Sequence, residues 1–266
     1  LKIRFHVFKA GQYKGAVEPY LRDDMSPEAR TANSEWIGSL WADYAATIIR
    51  QRGITDEAFT RYTHEYDVLL GDADNDSAQL AVDQSLVDEL ISEDEFRTKV
   101  LAIVGGKDGD YHKVGFRAYL HAIDPTIPVT NPNADKVAVL IAKGTILDGE
   151  QPAGEIGGDT ISRLIKGARD DKTIKALVLR IDSPGGSASA SEQIRHELEL
   201  MQQQGKPVVV SMGGYAASGG YWVSATANKI FARSTTVTGS IGTFIIFPTV
   251  DEGLAEFGIN TDGVGT

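Results

Sequence analysis

The sequence predicts an α/β fold with a largely parallel sheet, preceded by a mostly helical segment. Residues 176–181 and 208–212 are continuous apolar runs of strand length, the pattern of strands covered on both faces. Between them Ser189-Ala190-Ser191-Glu192 has capping-box spacing and opens a helix through Ile194, Leu198 and Met201 to Gly205. Strand, helix, strand in that order means parallel pairing. Residues 20–104, by contrast, carry apolar side chains at helical spacing.

Taken in order, residues 1–8 alternate apolar and polar and read as a strand. Ser26 with Pro27 forms an N-cap and first-turn pair. Ile37, Leu40, Trp41, Tyr44 and Ile48 then keep to one face of a helix that Gly53 stops after Arg50 and Arg52. The aromatic residues Trp36, Trp41 and Tyr44 are expected to pack in a core, and any that stays exposed suggests a subunit interface. A further helix starts near Ser77 with Leu80, Leu86, Val87 and Leu90 as its apolar set. Asp72-Ala73-Asp74-Asn75-Asp76-Ser77 before it has calcium-loop character but lacks glycine at position six. Asp83 also stands where the bidentate glutamate belongs, so helix capping is the better reading. Ser92-Glu93-Asp94-Glu95 is a second capping box. A polar glycine-rich connector over residues 105–110 and a proline-rich extended linker over residues 125–132 follow. Residues 137–141 read as a buried strand, and Asp159 as the cap of a short helix.

The division expected is therefore 1–104, then a linker region 105–135, then an α/β core over 136–266. A strand is already under way where the sequence opens, and residues 258–263 read as another beginning near its end. The sequence is read as a piece of a longer protein.

Composition narrows the function. The 266 residues are 42% hydrophobic and 24% charged, which gives ample material for a core. A net charge of −11 with no long basic run argues against a nucleic-acid partner, since a phosphate-backbone binder needs a positive surface. The absence of cysteine removes disulfides, thiolate nucleophiles and cysteine metal sites, and fits an oxidising compartment. No apolar run is long enough to span a bilayer.

Two tight glycine turns follow the two best strands: Asp182-Ser183-Pro184-Gly185-Gly186-Ser187, and Met212-Gly213-Gly214-Tyr215-Ala216-Ala217-Ser218-Gly219-Gly220-Tyr221. Ligands of open α/β sheets gather beyond the carboxyl ends of strands, and glycine there lets backbone N–H groups approach a substrate. Ser218 is a lone hydroxyl among small residues at the start of a buried helix, where developing negative charge is favoured. Two such turns fit a catalytic site as well as they fit plain shaping of the sheet edge.

These motifs closely resemble the signal peptide peptidase A (protease IV) family. So do Thr238-Gly239-Ser240-Ile241-Gly242 and Gly11-Gln12-Tyr13-Lys14-Gly15-Ala16-Val17-Glu18-Pro19-Tyr20, and the likeness runs in order along essentially the whole chain. It implies the long bacterial form, built from two related halves of the ClpP/crotonase-like fold, with the lysine supplied by the first half and the serine by the second. Residues 1–104 would then end the first repeat, and 136–266 would be the catalytic core of the second. The likeness further implies a serine endopeptidase with Ser218 as nucleophile and Lys14 as base. Backbone N–H groups of Gly185 and Gly219 are the expected oxyanion hole, with Gly186 an alternative to Gly185. The hydroxyl of Ser240 is expected to orient the amine. Gly15 departs from the family, which often has serine after the lysine. No metal or cofactor is implied. The expected partners are signal peptides and other small extended peptides, further copies of the chain in a homotetramer, and a membrane reached through a segment outside this chain. The expected location is the bacterial inner membrane, with the catalytic part facing the periplasm.

Serine and lysine suffice chemically. Serine needs a base to take its proton, and none of His6, His64, His112, His121 or His196 lies in a triad motif. A free lysine has about one amine in 2,500 neutral at pH 7, but burial among apolar groups can lower its pKa enough for the task. The dyad could be completed within one chain or between neighbouring subunits. Two other readings compete. A crotonase-type acyl-CoA enzyme would keep its activity in Ser218→Ala, and an inactive peptide-binding scaffold would bind peptide without turnover.

Overall fold

A run of capped helices is followed by strands and helices that alternate, and a computed structural model shows where each begins. It describes residues 2–107, 110–123, 134–260 and 262–264. Strand β1 (Arg4–Ala10) leads through a 3-10 turn (Gly15–Tyr20) to helix α1 (Pro27–Arg52). Helices α2 (Asp56–His64), α3 (Tyr66–Asp72), α4 (Ser77–Asp83) and α5 (Glu93–Val104) follow, then strands β2 (Gly106–Lys107) and β3 (Asp110–Tyr111) and helix α6 (Phe116–Ile123). Next come β4 (Lys136–Lys143), β5 (Ile146–Leu147), β6 (Ile156–Gly157), α7 (Gly158–Asp170), β7 (Ile174–Ser183), α8 (Ala188–Gln203) and β8 (Val208–Ala217). Helix α9 (Gly219–Ser224), β9 (Lys229–Phe231), β10 (Val237–Gly239), β11 (Thr243–Thr249) and α10 (Asp251–Ala255) close the order. Two compact units result, one of residues 1–40 with 133–266 and one of 41–132. One boundary of that division falls inside α1 and the other at 132/133.

In the first unit β10, β8, β7 and β4 lie in that order in one parallel sheet, with β9 also paired to β8. Leu177, Leu179 and Ile181 of β7 and Val208, Val210 and Met212 of β8 point to one face. There they meet Ile161 and Ile165 of α7 and Ile194, Leu198 and Met201 of α8. Each such fully buried side chain contributes roughly 1.5–3 kcal/mol, and this layer fixes the strand ends that carry the site.

The opposite face is not covered as expected: Val137, Val139 and Ile141 of β4 are exposed, and β4 is the edge strand of the sheet. An apolar run signals a strand but does not say how many of its faces are covered.

Several expected boundaries move for local reasons. Helix α8 is capped by Ser187, whose Oγ accepts the Ala190 N–H at 3.2 Å, while Ser189 Oγ turns to the Asp148 carboxylate at 2.7 Å. Asp159 does not cap α7, which starts after Gly157; its carboxylate instead accepts from Gln193 Nε2. Residues 258–260 and 262–264 form no strand, because the Gly258 and Ile259 N–H groups turn back to close α10.

In the second unit the Ser92 capping box is complete, and Asp76 accepts the N–H groups of Ala78 and Gln79. Helix α4 ends at Asp83, and Ser85 adopts φ 58°, so Leu86, Val87 and Leu90 lie outside it. The connector at 105–110 carries β2 and the start of β3, which pair antiparallel, and residues 125–132 lie outside the described residues. Trp41 and Tyr44 are exposed rather than in a core, though Trp41 packs on the Phe59 ring at 5.8 Å. Helix α1 buries none of its residues, since regular spacing defines a face without supplying its cover. Among the described residues no helix is long and apolar enough to cross a membrane.

Candidate active site

Three strand ends converge to build the site. Strand β1 pairs antiparallel with β11, ending at Ala10 opposite Thr243, so the segment after Ala10 lies beside the segment before Thr243. Gly11, at φ 115°, makes a close approach, since a Cβ there would run into the Ile241 carbonyl. Strand β10 pairs in parallel with the end of β8, Gly239 opposite Ala217, which sets Ser240 beside Ser218. The Ser218 N–H donates to the Gly239 carbonyl at 2.8 Å.

Lys14 thereby meets Ser218 within one chain. Its Nζ lies 2.7 Å from Ser218 Oγ and donates to the Ser240 carbonyl at 3.1 Å. The residue is only 6% exposed, and the Phe244 ring centre is 5.9 Å from Nζ. Burial holds its pKa below the ordinary lysine value. The expected Ser240 contact is therefore corrected in one atom, because the backbone carbonyl meets the amine and the hydroxyl does not. Sequence types do not reveal a carbonyl, since every residue has one. Ser240, at φ 47°, turns its carbonyl in a conformation few non-glycine residues adopt.

Ser218 sits on a sharp strand-to-helix corner at φ 51° and ψ −119°. A residue held there stores on the order of 1–3 kcal/mol of strain, a cost that clusters at functional sites. The glycines around it are required by space. A Cβ on Gly219 would strike the buried Ser191 hydroxyl, and one on Gly185 would lie 2.7 Å from the Gly219 nitrogen and 2.8 Å from Ser218 Cβ. The two glycine turns are laced together by Asp182, which accepts the Tyr215 N–H at 2.9 Å and occupies the space a Gly213 side chain would need.

Of the two expected oxyanion donors, Gly185 N–H is 3.1 Å from the fully buried Ser183 Oγ, so it must share or exchange that bond to serve an oxyanion. Gly219 N–H opens α9, where first-turn N–H groups lack helical acceptors. Ser183, Phe244 and the Gly239 carbonyl were not singled out by sequence reasoning. Ser183 carried a signal, a lone hydroxyl just before Pro-Gly-Gly; the other two carried none.

A cavity of about 1290 Å³ opens beside the lysine turn, lined by Tyr13, Gly15, Glu18, Trp36, Ser240 and Ile241 among others, but by neither Lys14 nor Ser218. Among the described residues no three His, Cys, Asp or Glu side chains gather where a metal ion could be held.

The sequence profile described as Peptidase family S49 matches residues 1–103 and 201–266. The chain belongs to peptidase family S49. Its S49 relatives include the enzymes named Protease 4 from Haemophilus influenzae and Salmonella typhi, 42% and 43% identical over the whole chain. The chain spans only 43% and 42% of their lengths. Among solved structures, a 1510-N membrane-bound stomatin-specific protease is 25% identical with a TM-score of 0.29, over 36% of this chain and 43% of that one.

The buried amine of this S49 chain sets a stability cost. Lys14→Met is expected to raise the melting midpoint at pH 7 by about 2–4 °C for each kcal/mol of burial cost relieved. With a lowered pKa, the folded protein binds fewer protons than the unfolded chain between its own pKa and the unfolded lysine value near 10.4. The burial cost is therefore full below the folded pKa and fades as pH rises above it. Melting curves at pH 7 and pH 10 should show the gain shrinking.

Proposed function

We propose that the protein is a serine endopeptidase in which Ser218 is the nucleophile and Lys14 the general base. The observation that carries this reading is the 2.7 Å contact between a buried lysine amine and a serine hydroxyl on a strained strand-to-helix corner. Membership of a peptidase family and the name Protease 4 borne by two relatives support it.

In the neutral state the Lys14 amine gives one N–H to the Ser240 carbonyl and turns its lone pair to the Ser218 O–H. Attack of Oγ on the peptide carbonyl passes the proton to Nζ. The tetrahedral oxyanion is received by the N–H groups of Gly219 and Gly185. The Lys14 ammonium then gives its proton to the leaving amine, and an acyl-enzyme remains on Ser218. Water loses a proton to the same amine, attacks the ester and restores the hydroxyl.

The substrates we infer are cleaved signal peptides and other small extended peptides, bound as an added strand near the two glycine turns. The wider proposal is a homotetramer at the bacterial inner membrane, anchored outside this chain, with the catalytic part facing the periplasm.

Hydrolysis of an apolar leader-like peptide by the whole protein tests the reading. Because the base works only when neutral and burial lowers its pKa, kcat/KM should rise with pH with a midpoint below that of an ordinary lysine. No turnover, or a rise that tracks an ordinary lysine, would contradict it.

A further inference from the structure

Among the described residues two charged side chains are buried, Lys14 and Glu18. They stand four residues apart, at the start and within the same 3-10 turn, yet only Lys14 has a place in the mechanism. Glu18 touches neither Ser218 nor the amine. Both its oxygens go to Ser26: Oε1 accepts the Ser26 O–H at 2.6 Å and Oε2 accepts the Ser26 N–H at 3.0 Å. The Ser26 Oγ in turn accepts the Ala29 N–H at 3.1 Å at the start of α1. The Glu18 carbonyl accepts from the Leu21 and Arg22 N–H groups and closes the turn.

The lysine itself is held by little else on its own segment. Its N–H reaches the Gly11 carbonyl at 3.2 Å, and the Gly15 N–H reaches Tyr13 at 3.1 Å. Gly15, the next residue, has no side chain to pack and gives the chain freedom at that point. Val17, fully buried, is the apolar anchor of the turn, and Glu18 is its polar one. A carboxylate fixed by two donors is a charge-assisted clamp, stronger than two neutral hydrogen bonds.

We propose that Glu18 is a positioning residue: by gripping Ser26 it locks the lysine-bearing turn to α1 and keeps the Lys14 amine buried against Ser218. This rests on the Ser218–Lys14 reading above and extends it to the residue that sets the geometry of the base. The charged groups around Glu18 are Lys9 and Arg22, which favour its carboxylate, and Glu28 at the start of α1. Around the amine lie Ser218, the Ser240 carbonyl and the Phe244 ring, none of them charged.

Releasing the clamp should cost rate and also change the amine. Misplacing a catalytic group by about 1 Å can cost roughly 100-fold, so Glu18→Ala should lower kcat by about 10–100-fold with little change in KM. The decisive readout does not need catalysis. Trace labelling of Lys14 with acetic anhydride across pH, read by mass spectrometry in the whole protein, reports the titration of the amine directly. In the wild type the labelling midpoint should lie below that of exposed lysines. Glu18→Ala should move it up toward them, Ser26→Ala should move it part of the way, and Glu18→Gln, which keeps one acceptor oxygen, should move it least. Circular dichroism checks folding, and the milder Glu18→Gln and Ser26→Ala pair carries the test if Glu18→Ala does not fold. Equal midpoints in the folded variants, with activity falling only as stability falls, would overturn the proposal and leave Glu18 a helix cap. Full peptide turnover in Lys14→Met would instead overturn the dyad reading, whatever the labelling shows.

Discussion

Ser218→Ala and Lys14→Met should each lower kcat for peptide hydrolysis by roughly 10⁴-fold or more, and the double variant should be little worse than either single one. The near-equality follows from the geometry. Nζ and Oγ lie 2.7 Å apart, so in the proposed mechanism one proton passes between them, neither group works without the other, and their losses do not add. Lys14→Met keeps length and apolar bulk in a site that is nearly closed to solvent, which separates lost chemistry from lost packing. The same variant is expected to be more stable than the wild type, so its inactivity could not be assigned to unfolding. Steady-state rates together with melting midpoints check both halves. Additive losses would mean that the two groups act in separate steps.

Gly185→Ala should be the next most damaging change: the N–H is kept but pushed out of place, and kcat should fall by about 10²–10³-fold, the usual effect of losing an oxyanion donor. The introduced Cβ would lie 2.7 Å from the Gly219 nitrogen, 2.8 Å from Ser218 Cβ and 3.0 Å from the Ala217 carbonyl. Two of these neighbours are backbone atoms and the third is a Cβ fixed to the backbone, at the end of β8 and the start of α9, so none can swing aside as the far end of a flexible side chain would. Gly185 also adopts φ 102°, which an alanine tolerates poorly. Affinity for a peptide aldehyde, which forms the tetrahedral adduct, should fall with kcat. Gly167→Ala on α7, with open space around it, serves as the control and should leave both unchanged. If Gly185→Ala kept full aldehyde affinity, the oxyanion would have to be bound elsewhere.

The parts of this molecule legible in its sequence are those fixed by local pattern. The apolar runs of β7 and β8, the Ser26 and Ser92 caps and the Gly53 stop all act over a few residues, and they stand where the pattern puts them. Patterns leave open what covers a face. Trp41 and Tyr44 keep helical spacing whether or not anything packs on them, and Val137, Val139 and Ile141 alternate on the uncovered side of an edge strand. Caps with several hydroxyls in a row are ambiguous by one turn position, which is why Ser187 rather than Ser189 opens α8.

The site is harder to read than the sheet because its two side chains stand 204 residues apart. Spacing alone does not distinguish Lys14 from an ordinary surface charge; only the likeness of whole motifs singles it out. Contacts made by backbone atoms, such as the carbonyls of Ser240 and Gly239, leave no trace in residue type. Ser26 is legible as a helix start, but its bond to Glu18 is not, since that bond closes an eight-residue loop that only the fold defines.

The central claim is that Ser218 is a nucleophile activated by Lys14. The most direct measurement is covalent capture: the whole protein is treated with a peptidyl fluorophosphonate, digested and analysed by mass spectrometry. The account predicts a single stoichiometric adduct on Ser218, formed faster as pH rises toward the plateau of kcat/KM and slowed by roughly 10⁴-fold in Lys14→Met. An adduct on another residue, or one that forms on Ser218 at an unchanged rate without the lysine, would contradict it.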